Sequence, residues 1–127
     1  MDVITHWKVK KMSPQLIVVD MDRSIEFYTK NLGFETEFRY QDFYVGISRD
    51  GFSIHLKKGH PLLEVREYKK RNEHIDISFS VDQIEYLYED VLSKSVEVIQ
   101  PLRQMPYGKE FYVVDPDAYI IAFLEEA

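Results

Sequence analysis

The stretch DGFSIHL at residues 50–56 decides the fold, because the chain carries a second version of it, DAYIIAF, at residues 117–123. The two copies share an Asp, a small residue, an aromatic residue, an Ile at the fifth position and an apolar residue at the end. Repetition within one chain is typical of a duplicated structural unit. We therefore expect two halves that are built on one plan.

The segments upstream of the two copies also correspond. They are LIVVDMDRSIEFY at residues 16–28 and ISFSVDQIEYLYEDVL at residues 77–92. Each contains a strand-like run, then an acidic residue, then apolar residues at helical spacing. Asp82 followed by Glu85 predicts a capping box at the start of the second helix. Asp20 or Asp22 is expected to cap the first helix.

Three short strand candidates follow each helix and are separated by turn residues. They are FETEFRYQ, DFYVGISRD and FSIHLKK in the first half, and VEVIQ, KEFYVV and YIIAFLE in the second. Each half thus reads βαβββ, and the whole chain predicts an α+β fold in a single domain over residues 1–127. We expect a first module at about residues 13–58, a linker at 59–72 and a second module at 73–127.

Alternation along the strands separates two faces of each predicted sheet. In residues 52–57 the apolar side chains alternate with Ser53, His55 and Lys57. In residues 73–81 they alternate with His74, Asp76, Ser78 and Ser80. An antiparallel sheet with one solvated face would explain this pattern. The alternative, which we adopt for the fold, is that each module has a curled mixed sheet whose polar face forms a cup.

Composition limits the classes of function. The chain has 45% hydrophobic and 30% charged residues, as folded soluble proteins do. A net charge of −6 with scattered basic residues argues against a nucleic-acid partner. For a charged ligand a cation is the easier guest, although solubility is the simpler explanation of the excess carboxylates. The absence of cysteine excludes disulfides and thiolate metal sites. Because no apolar stretch reaches membrane-spanning length, we expect a cytoplasmic protein without a membrane partner.

Two stretches carry a resemblance to a known family. The run VVDMDRSIEFYTKNLGFE at residues 18–35 is similar to the opening of vicinal oxygen chelate proteins. This superfamily includes glyoxalase I, extradiol dioxygenases, fosfomycin resistance enzymes and bleomycin resistance proteins. The ending MPYGKEFYVVDPDAYIIAFLEE at residues 105–126 resembles the bleomycin resistance proteins in particular. The resemblance covers the chain from about residue 13 to its end and implies paired βαβββ modules.

The resemblance also bears on a metal site. Metal-dependent members bind their ion through four residues, one from the first and one from the last strand of each module. The resemblance places these positions at Ser13, His55, Asp76 and Ala122. Alanine has no donor atom and serine is a poor ligand, so two remain where catalytic zinc or iron sites normally need three. We expect no metal cofactor, although a register slip that brings in His74 would restore a divalent metal as the alternative.

In bleomycin resistance proteins, the resemblance implies a homodimer with a cleft at the subunit interface that holds a flat, cationic drug without any reaction. An equivalent cleft here would draw on Phe38, Tyr40, Phe43, Tyr44, His55, Asp76, Tyr107 and Phe111. For each aromatic residue taken singly, packing in the core is the competing role. Tyr107 is favoured for the cleft, because the turn at residues 106–108 puts its ring on a loop.

The leading hypothesis is therefore metal-free binding of a small organic ligand, as in drug or metabolite sequestration and antibiotic resistance. His55 and Asp76 could form a general base without a metal. A hydrogen-bonded polar pair is the simpler role for them, so no catalytic residue is assigned. The alternative function is a metal-dependent glyoxalase-type lyase, isomerase or dioxygenase. A third is an interaction module whose cup is filled by its own side chains.

Overall fold

Two four-stranded sheets form the framework of the computed structural model, which describes residues 6–61 and 66–127, without the side chain of Arg66. The first sheet contains β1 (Gln15–Val18), β2 (Glu35–Tyr40), β3 (Tyr44–Arg49) and β4 (Phe52–Lys58). The second contains β5 (Ile77–Ser80), β6 (Glu97–Met105), β7 (Gly108–Val114) and β8 (Ile120–Glu126). The helices are α1 (Met21–Glu26), continued by a π-helical turn (Phe27–Asn31), α2 (Arg66–Arg71) in the linker, and α3 (Ile84–Ser93).

Both sheets have the same topology. Their strand orders are β1-β4-β3-β2 and β5-β8-β7-β6. In each sheet the first and last strands of the module pair in parallel, and the other pairs are antiparallel. The predicted α+β fold of two βαβββ modules with mixed sheets is confirmed. None of the helices in the described ranges is long and apolar enough to cross a membrane.

The two main helices begin in different ways. Asp20 caps α1 as predicted, since its carboxylate accepts a hydrogen bond from the backbone of Arg23 at 3.1 Å. The capping box predicted at Asp82 is wrong. The carboxylate of Glu125, at the end of β8, instead accepts the backbone N–H groups of Gln83 and Ile84, both at 3.1 Å. A strand of the second sheet therefore fixes the start of α3.

One hydrophobic core joins the modules. It receives the helix-facing side chains of both sheets, Leu16, Val18, Val45, Ile47, Ile54 and Leu56 from the first and Phe111, Val113, Ile121 and Phe123 from the second. Phe34 and Phe79 meet across the boundary with ring centroids 6.0 Å apart. Because the side of each sheet that faces the helices is buried in this core, the opposite side of each sheet points away from it. We call these the open faces.

A buried polar turn also ties the modules together. The hydroxyl of Tyr28 donates to Asp115 at 2.6 Å. The backbone N–H of Val19 and the hydroxyl of Ser24 donate to Asp117 at 3.1 and 3.2 Å. All three donors belong to the first module and both acceptors to the second. Buried carboxylates need such partners, so the turn holds β1 and α1 against the second sheet.

Candidate ligand-binding site

The register of the first sheet brings four residues into one row across its open face. Phe38 in β2 lies opposite Gly46 in β3, Gly46 lies opposite His55 in β4, and His55 lies opposite Gln15 in β1. Residues that are direct neighbours across a sheet share a face. A large ring, a residue without a side chain, an imidazole and an amide therefore stand side by side.

Two of the predicted site residues lie against His55, and two more extend the group of rings away from it. Phe38 lies edge-on to the imidazole at 5.3 Å between ring centroids, and Tyr44 does so at 5.5 Å. Phe38 is stacked with Tyr44 at 6.1 Å and contacts Tyr40 at 5.6 Å, and Tyr40 lies 6.4 Å from Phe43. The side chains of Tyr40 and Phe43 are 61% and 53% exposed. We call Phe38, Tyr40, Phe43, Tyr44 and His55 the aromatic cluster.

Phe38 covers the space that Gly46 leaves free. A Cβ atom added at Gly46 would collide with three atoms of the Phe38 ring. The ring therefore lies directly on the backbone of β3, next to His55. Glycine in the interior of a strand often marks such a close approach. The result is a shallow slot at the middle of the open face, filled by a side chain from the edge strand.

His55 is held on one side only. Its Nδ1 atom lies 2.9 Å from the hydroxyl of Tyr44, and that hydroxyl donates to the side-chain oxygen of Gln15 at 3.2 Å. Its Nε2 atom is buried and has no hydrogen-bond partner among the residues that the structure describes. A buried polar atom without a partner costs free energy and calls for an explanation.

A carboxylate completes the polar part of this face. Glu37 is the extra residue at an irregularity in the pairing of β2 with β3. Its carboxylate accepts a hydrogen bond from Ser53 at 2.7 Å and pairs with Lys11 at 3.4 Å. The hydrogen bond from Ser53 lowers the pKa of Glu37, with smaller contributions from Lys11 and His55. A negative charge therefore stands close to the imidazole.

The corresponding face of the second sheet is filled by its own side chains. The equivalent row is Gln100, Tyr112, Ala122 and Ser78. Tyr112 and Ala122 are buried, at 4% and 3% exposure, in a second apolar cluster. The large side chain here is on the third strand of the module, where the first sheet has Gly46. The duplicated halves therefore differ at the centre of this face.

A buried carboxylate organises the turn end of the second sheet. Glu110 accepts hydrogen bonds from Arg103 at 2.8 Å and from the hydroxyls of Tyr107 and Tyr112 at 2.7 and 3.0 Å. Burial raises the pKa of Glu110, but these hydrogen bonds together outweigh it and leave the pKa lowered. Burial and then the bond to Glu110 raise the pKa of Tyr112 to about 12. At neutral pH the Glu110 carboxylate is therefore ionised and the Tyr112 hydroxyl keeps its proton.

Two predicted aromatic residues of the second module have different positions. Tyr107 lies on the turn between β6 and β7, as expected, and is 49% exposed. Its pKa is raised by the hydrogen bond to Glu110. Phe111 is fully buried and packs between Tyr88 and Phe123 at centroid distances of 4.9 and 5.1 Å. The prediction that Phe111 lines a cleft is wrong, because β7 turns this ring into the core.

Asp76 does not pair with His55. Its carboxylate accepts the backbone N–H of Ile120 at 2.8 Å and forms an ion pair with Lys69 at 2.6 Å. The ammonium of Lys69 also lies 4.9 Å from the ring centre of Tyr119. Asp76 thus anchors the start of β5 and the linker helix. The geometry provides no support for a His55–Asp76 general base.

Comparison with known proteins identifies the family. A sequence model of the Glyoxalase/Bleomycin resistance protein/Dioxygenase superfamily matches residues 9–123. The chain belongs to this superfamily. No significant match was found among curated protein sequences.

Solved structures share the fold of this superfamily member. The bleomycin-binding protein of bleomycin-producing Streptomyces verticillus, solved with copper(II)-bleomycin, has a TM-score of 0.70 at 21% identity, over 96% of this chain and 100% of its own. TnmS3, an antibiotic binding protein from Streptomyces sp. CB03234, has 0.72 at 15% identity over 98% and 100%. TioX from Micromonospora sp. ML1 has 0.73 at 15% identity over 94% and 100%. At these identities the likeness shows the fold alone.

The metal site of metal-dependent superfamily members does not fit the residues present. The residue opposite His55 is Gln15, and the one opposite Ala122 is Ser78, so Ser13 and Asp76 each lie two positions before the expected place. His74 lies further still from that row, before the start of β5. Within residues 6–61 and 66–127, no group of three His, Asp or Glu side chains could hold an ion.

A groove lies elsewhere, between the modules on the helix side. Its volume is about 910 Å³. Its lining includes Phe34, Phe52, Phe79, Tyr86, Asp90 and Glu125, and none of the predicted ligand-binding residues. Glu125 already caps α3, and Asp90 pairs with Lys94 at 2.9 Å. We place the candidate site at the aromatic cluster, because there the rings adjoin an imidazole nitrogen that has no hydrogen-bond partner within residues 6–61 and 66–127.

Three residues of the candidate site were missed from the sequence alone. Gly46 carried a usable signal, since a lone glycine inside the strand-like YVGISR indicates a close approach. Glu37 became part of the site through an irregularity in strand pairing. Gln15 became part of it through the parallel pairing of β1 with β4. Neither feature leaves a mark in the local pattern.

Proposed function

We propose that this superfamily member binds a flat organic molecule on the open face of the first sheet, without a metal ion, and thereby sequesters it. The observation that carries the proposal is the aromatic cluster. It joins four rings in one group, of which Phe38 and Tyr44 adjoin the imidazole of His55, while Tyr40 and Phe43 are more than half exposed. Exposed rings in a contiguous patch on a soluble protein mark an interaction surface.

The energetics of the cluster favour a planar guest. Aromatic side chains stack on flat molecules and lose little conformational freedom, which contributes about 0.5–1.5 kcal/mol per pair beyond the burial of apolar area. Tyr40 and Phe43 present ring surface to solvent, so a ligand gains this contact without displacing core residues. The Glu37 carboxylate and the net charge of −6 favour a cation.

The known proteins of this fold support an antibiotic or a toxic metabolite as the guest class. Two of the similar structures are described as a bleomycin-binding and an antibiotic binding protein. In the cytoplasmic homodimer that we propose, a second copy would bring Tyr107 towards the aromatic cluster. Both open faces point away from the shared core, and Tyr107 is exposed on its turn.

Fluorescence and calorimetric titration test this function. Bleomycin and the planar cation ethidium would be titrated into protein kept in EDTA. We expect saturable binding of at least one of them, and about tenfold weaker binding by the Tyr40→Ala/Phe43→Ala double variant. Tyr86→Ala, which removes an exposed tyrosine from α3, serves as the matched control and should bind as the wild type does.

Two results would overturn the proposal. One is the absence of saturable binding to either probe by the folded wild-type protein. The other is binding, or turnover of an added substrate, that occurs only with a divalent ion at about one equivalent per chain, as the superfamily's enzymes would require. Elemental analysis of the purified protein shows whether such an ion is bound at about one equivalent per chain or is present only as a trace contaminant.

A further inference from the structure

We infer that the ring of Phe38 occupies a slot which a flat ligand takes when it binds, and that Nε2 of His55 selects ligands with an N–H donor at the ring edge. This inference rests on the proposed function, since it concerns the same open face. It adds one requirement to the flat shape and positive charge already proposed for the ligand, namely a hydrogen-bond donor. The ligand class is a planar heteroaromatic ring with an N–H group, or a ring with an amino substituent.

The floor of the slot is the backbone of Gly46, and its walls are the rings of Tyr44 and His55. Gly46 is buried and has no side chain, and the Phe38 ring lies in the space where its Cβ would be. Tyr44 stacks parallel to Phe38 at an interplanar angle of 16°, and His55 stands edge-on at 85°. A flat ligand in place of Phe38 would keep the stacking on Tyr44 and meet the imidazole at its edge.

Phe38 can leave this slot at low cost. It belongs to β2, which is the edge strand of its sheet, and its side chain is only partly buried. Its neighbour Tyr40 is exposed on the same face. A ring on an edge strand reaches solvent by rotation about its side-chain bonds, whereas the Gly46 backbone in the interior of the sheet stays in place.

A chain of hydrogen bonds runs from Gln15 through Tyr44 to the imidazole. The Tyr44 hydroxyl has one proton and lies 3.2 Å from the side-chain oxygen of Gln15 and 2.9 Å from Nδ1 of His55. We assign this proton to the hydrogen bond with Gln15, so that the Tyr44 oxygen accepts from Nδ1 of His55. In the neutral ring, a proton on Nδ1 leaves Nε2 as an acceptor. Nε2 is buried and lacks a partner among the described residues, so the atom offers a lone pair to a ligand that enters the slot.

The surroundings of the slot agree with a donor on the ligand. Glu37 is an acceptor, and its pKa is lowered by Ser53 and, to a smaller extent, by His55. A ligand that presents an acceptor would face a lone pair at Nε2 and a nearby negative charge. A site built for a hydrogen bond discriminates strongly against analogues that lack the matching group.

Nitrogen NMR of the imidazole tests the proton position directly. In ¹⁵N-labelled protein in mildly alkaline buffer, we expect the His55 ring to carry its proton on Nδ1. Tyr44→Phe removes the hydroxyl and should shift the proton to Nε2, the form that free histidine prefers. His55→Gln identifies the signals. A wild-type His55 with its proton on Nε2 would overturn the inference, and it would leave the titrations of the proposed function unaffected.

A second experiment tests the slot with small probes. Phe38→Ala empties the slot, and we expect it to bind indole, whereas the wild type binds it at least about tenfold more weakly. Benzothiophene has the same shape without the N–H and should bind Phe38→Ala about tenfold more weakly than indole does. Phe52→Ala, which removes an exposed ring outside the aromatic cluster, is the matched control and should not gain affinity for indole.

The outcomes separate the two proposals. Equal binding of indole and benzothiophene to folded Phe38→Ala would remove the donor requirement, and no binding of either would remove the slot. Gly46→Ala in the Phe38→Ala background should abolish the indole site, because its Cβ takes up the space. Binding of bleomycin or ethidium by the wild type is measured separately. The sequestration proposal can therefore be supported while the slot is disproved, and the slot can be supported while sequestration is disproved.

Discussion

At the scale of single residues, the buried acid Asp115 has the clearest consequence for solution behaviour. The residue is 4% exposed. Burial raises the pKa of its carboxyl from 3.8 to about 6, although hydrogen bonds from Tyr28 and from the backbone of Tyr119 and Asp117 lower it in part. The charge of Asp117 raises it further. The folded protein therefore keeps a proton that the unfolded chain has already lost.

This difference makes stability depend on pH. Between about pH 4 and pH 6 the folded state binds one more proton at Asp115, so its contribution is complete below pH 4 and is lost as the pH rises through 6. We expect the free energy of unfolding of the wild type, relative to Asp115→Asn, to fall by about 3 kcal/mol over this window. Urea denaturation of both proteins from pH 4 to 8 measures it, and a constant difference would contradict it.

The site residues show what sequence can and cannot predict. The aromatic residues of the first module were found because they cluster in the chain, and the structure brings them together around His55. Phe111 was misplaced although period-two alternation puts it out of phase with Glu110 and Tyr112. The row that joins His55 to Gln15 depends on parallel pairing between distant strands, which no local pattern contains.

At the scale of elements, the start of α3 depends on a strand 41 residues away in the chain. Glu125 accepts the first backbone N–H groups of the helix, which otherwise lack partners. We expect Glu125→Ala to lower the free energy of unfolding by about 1 kcal/mol, as the loss of a helix cap does. Urea denaturation measures this, and hydrogen exchange of the Gln83 and Ile84 amides locates it.

Asp82→Ala is the matched control for this prediction. The local pattern of Asp82 and Glu85 predicts a cap at that position, but the structure places the cap at Glu125. We expect Asp82→Ala to leave stability nearly unchanged. A larger loss in Asp82→Ala than in Glu125→Ala would show that the local capping box forms after all.

Elements were nevertheless the easiest level to predict. All eight strands and both main helices correspond to segments that the pattern marks, because apolar alternation and helical spacing reflect burial on one face. The helix starts were harder, since the pattern offered Asp20 and Asp22 as caps of α1, and it is Asp20 that accepts the backbone N–H of Arg23, whereas Asp22 lies within the helix. A cap provided by a distant strand lies beyond any local pattern.

At the scale of the whole molecule, the turn with Asp117 couples the modules. Its carboxylate accepts hydrogen bonds from Val19 and Ser24 of the first module and lies 3.3 Å from the guanidinium of Arg23. Asp117→Ala removes the acceptor of the buried Ser24 hydroxyl and of the part-buried Val19 N–H. We expect this variant to lose about 3 kcal/mol of unfolding free energy. The Val19 amide should also exchange faster with solvent.

Asp22→Ala provides the control, because Asp22 is a surface acid whose ion pair with Arg39 is exposed. Such pairs contribute little, so this variant should retain about the wild-type stability. Circular dichroism in urea and hydrogen exchange by NMR check both proteins. Equal stabilities of the two variants would mean that the shared core alone joins the modules.

The sequence duplication predicted the number and plan of the modules, but it did not predict which faces of their sheets pack together. Repeats of one plan can associate through either face of their sheets. Here the helix faces join, because Phe34 and Phe79 together with the buried strand residues form one core. That choice directs the open faces of both sheets away from the core.

Gly46 in the first sheet and Tyr112 in the second occupy equivalent positions, and this difference affects how many ligand molecules one chain can bind. Two halves of common plan would offer two equal binding places if their centres matched. Because the buried Tyr112 ring fills one centre, while the space at Gly46 is covered only by the partly buried ring of Phe38, we expect a chain to bind one guest molecule under the proposed function. A pair of chains would then hold two guests, related by the symmetry of the pair and not by that of the repeat.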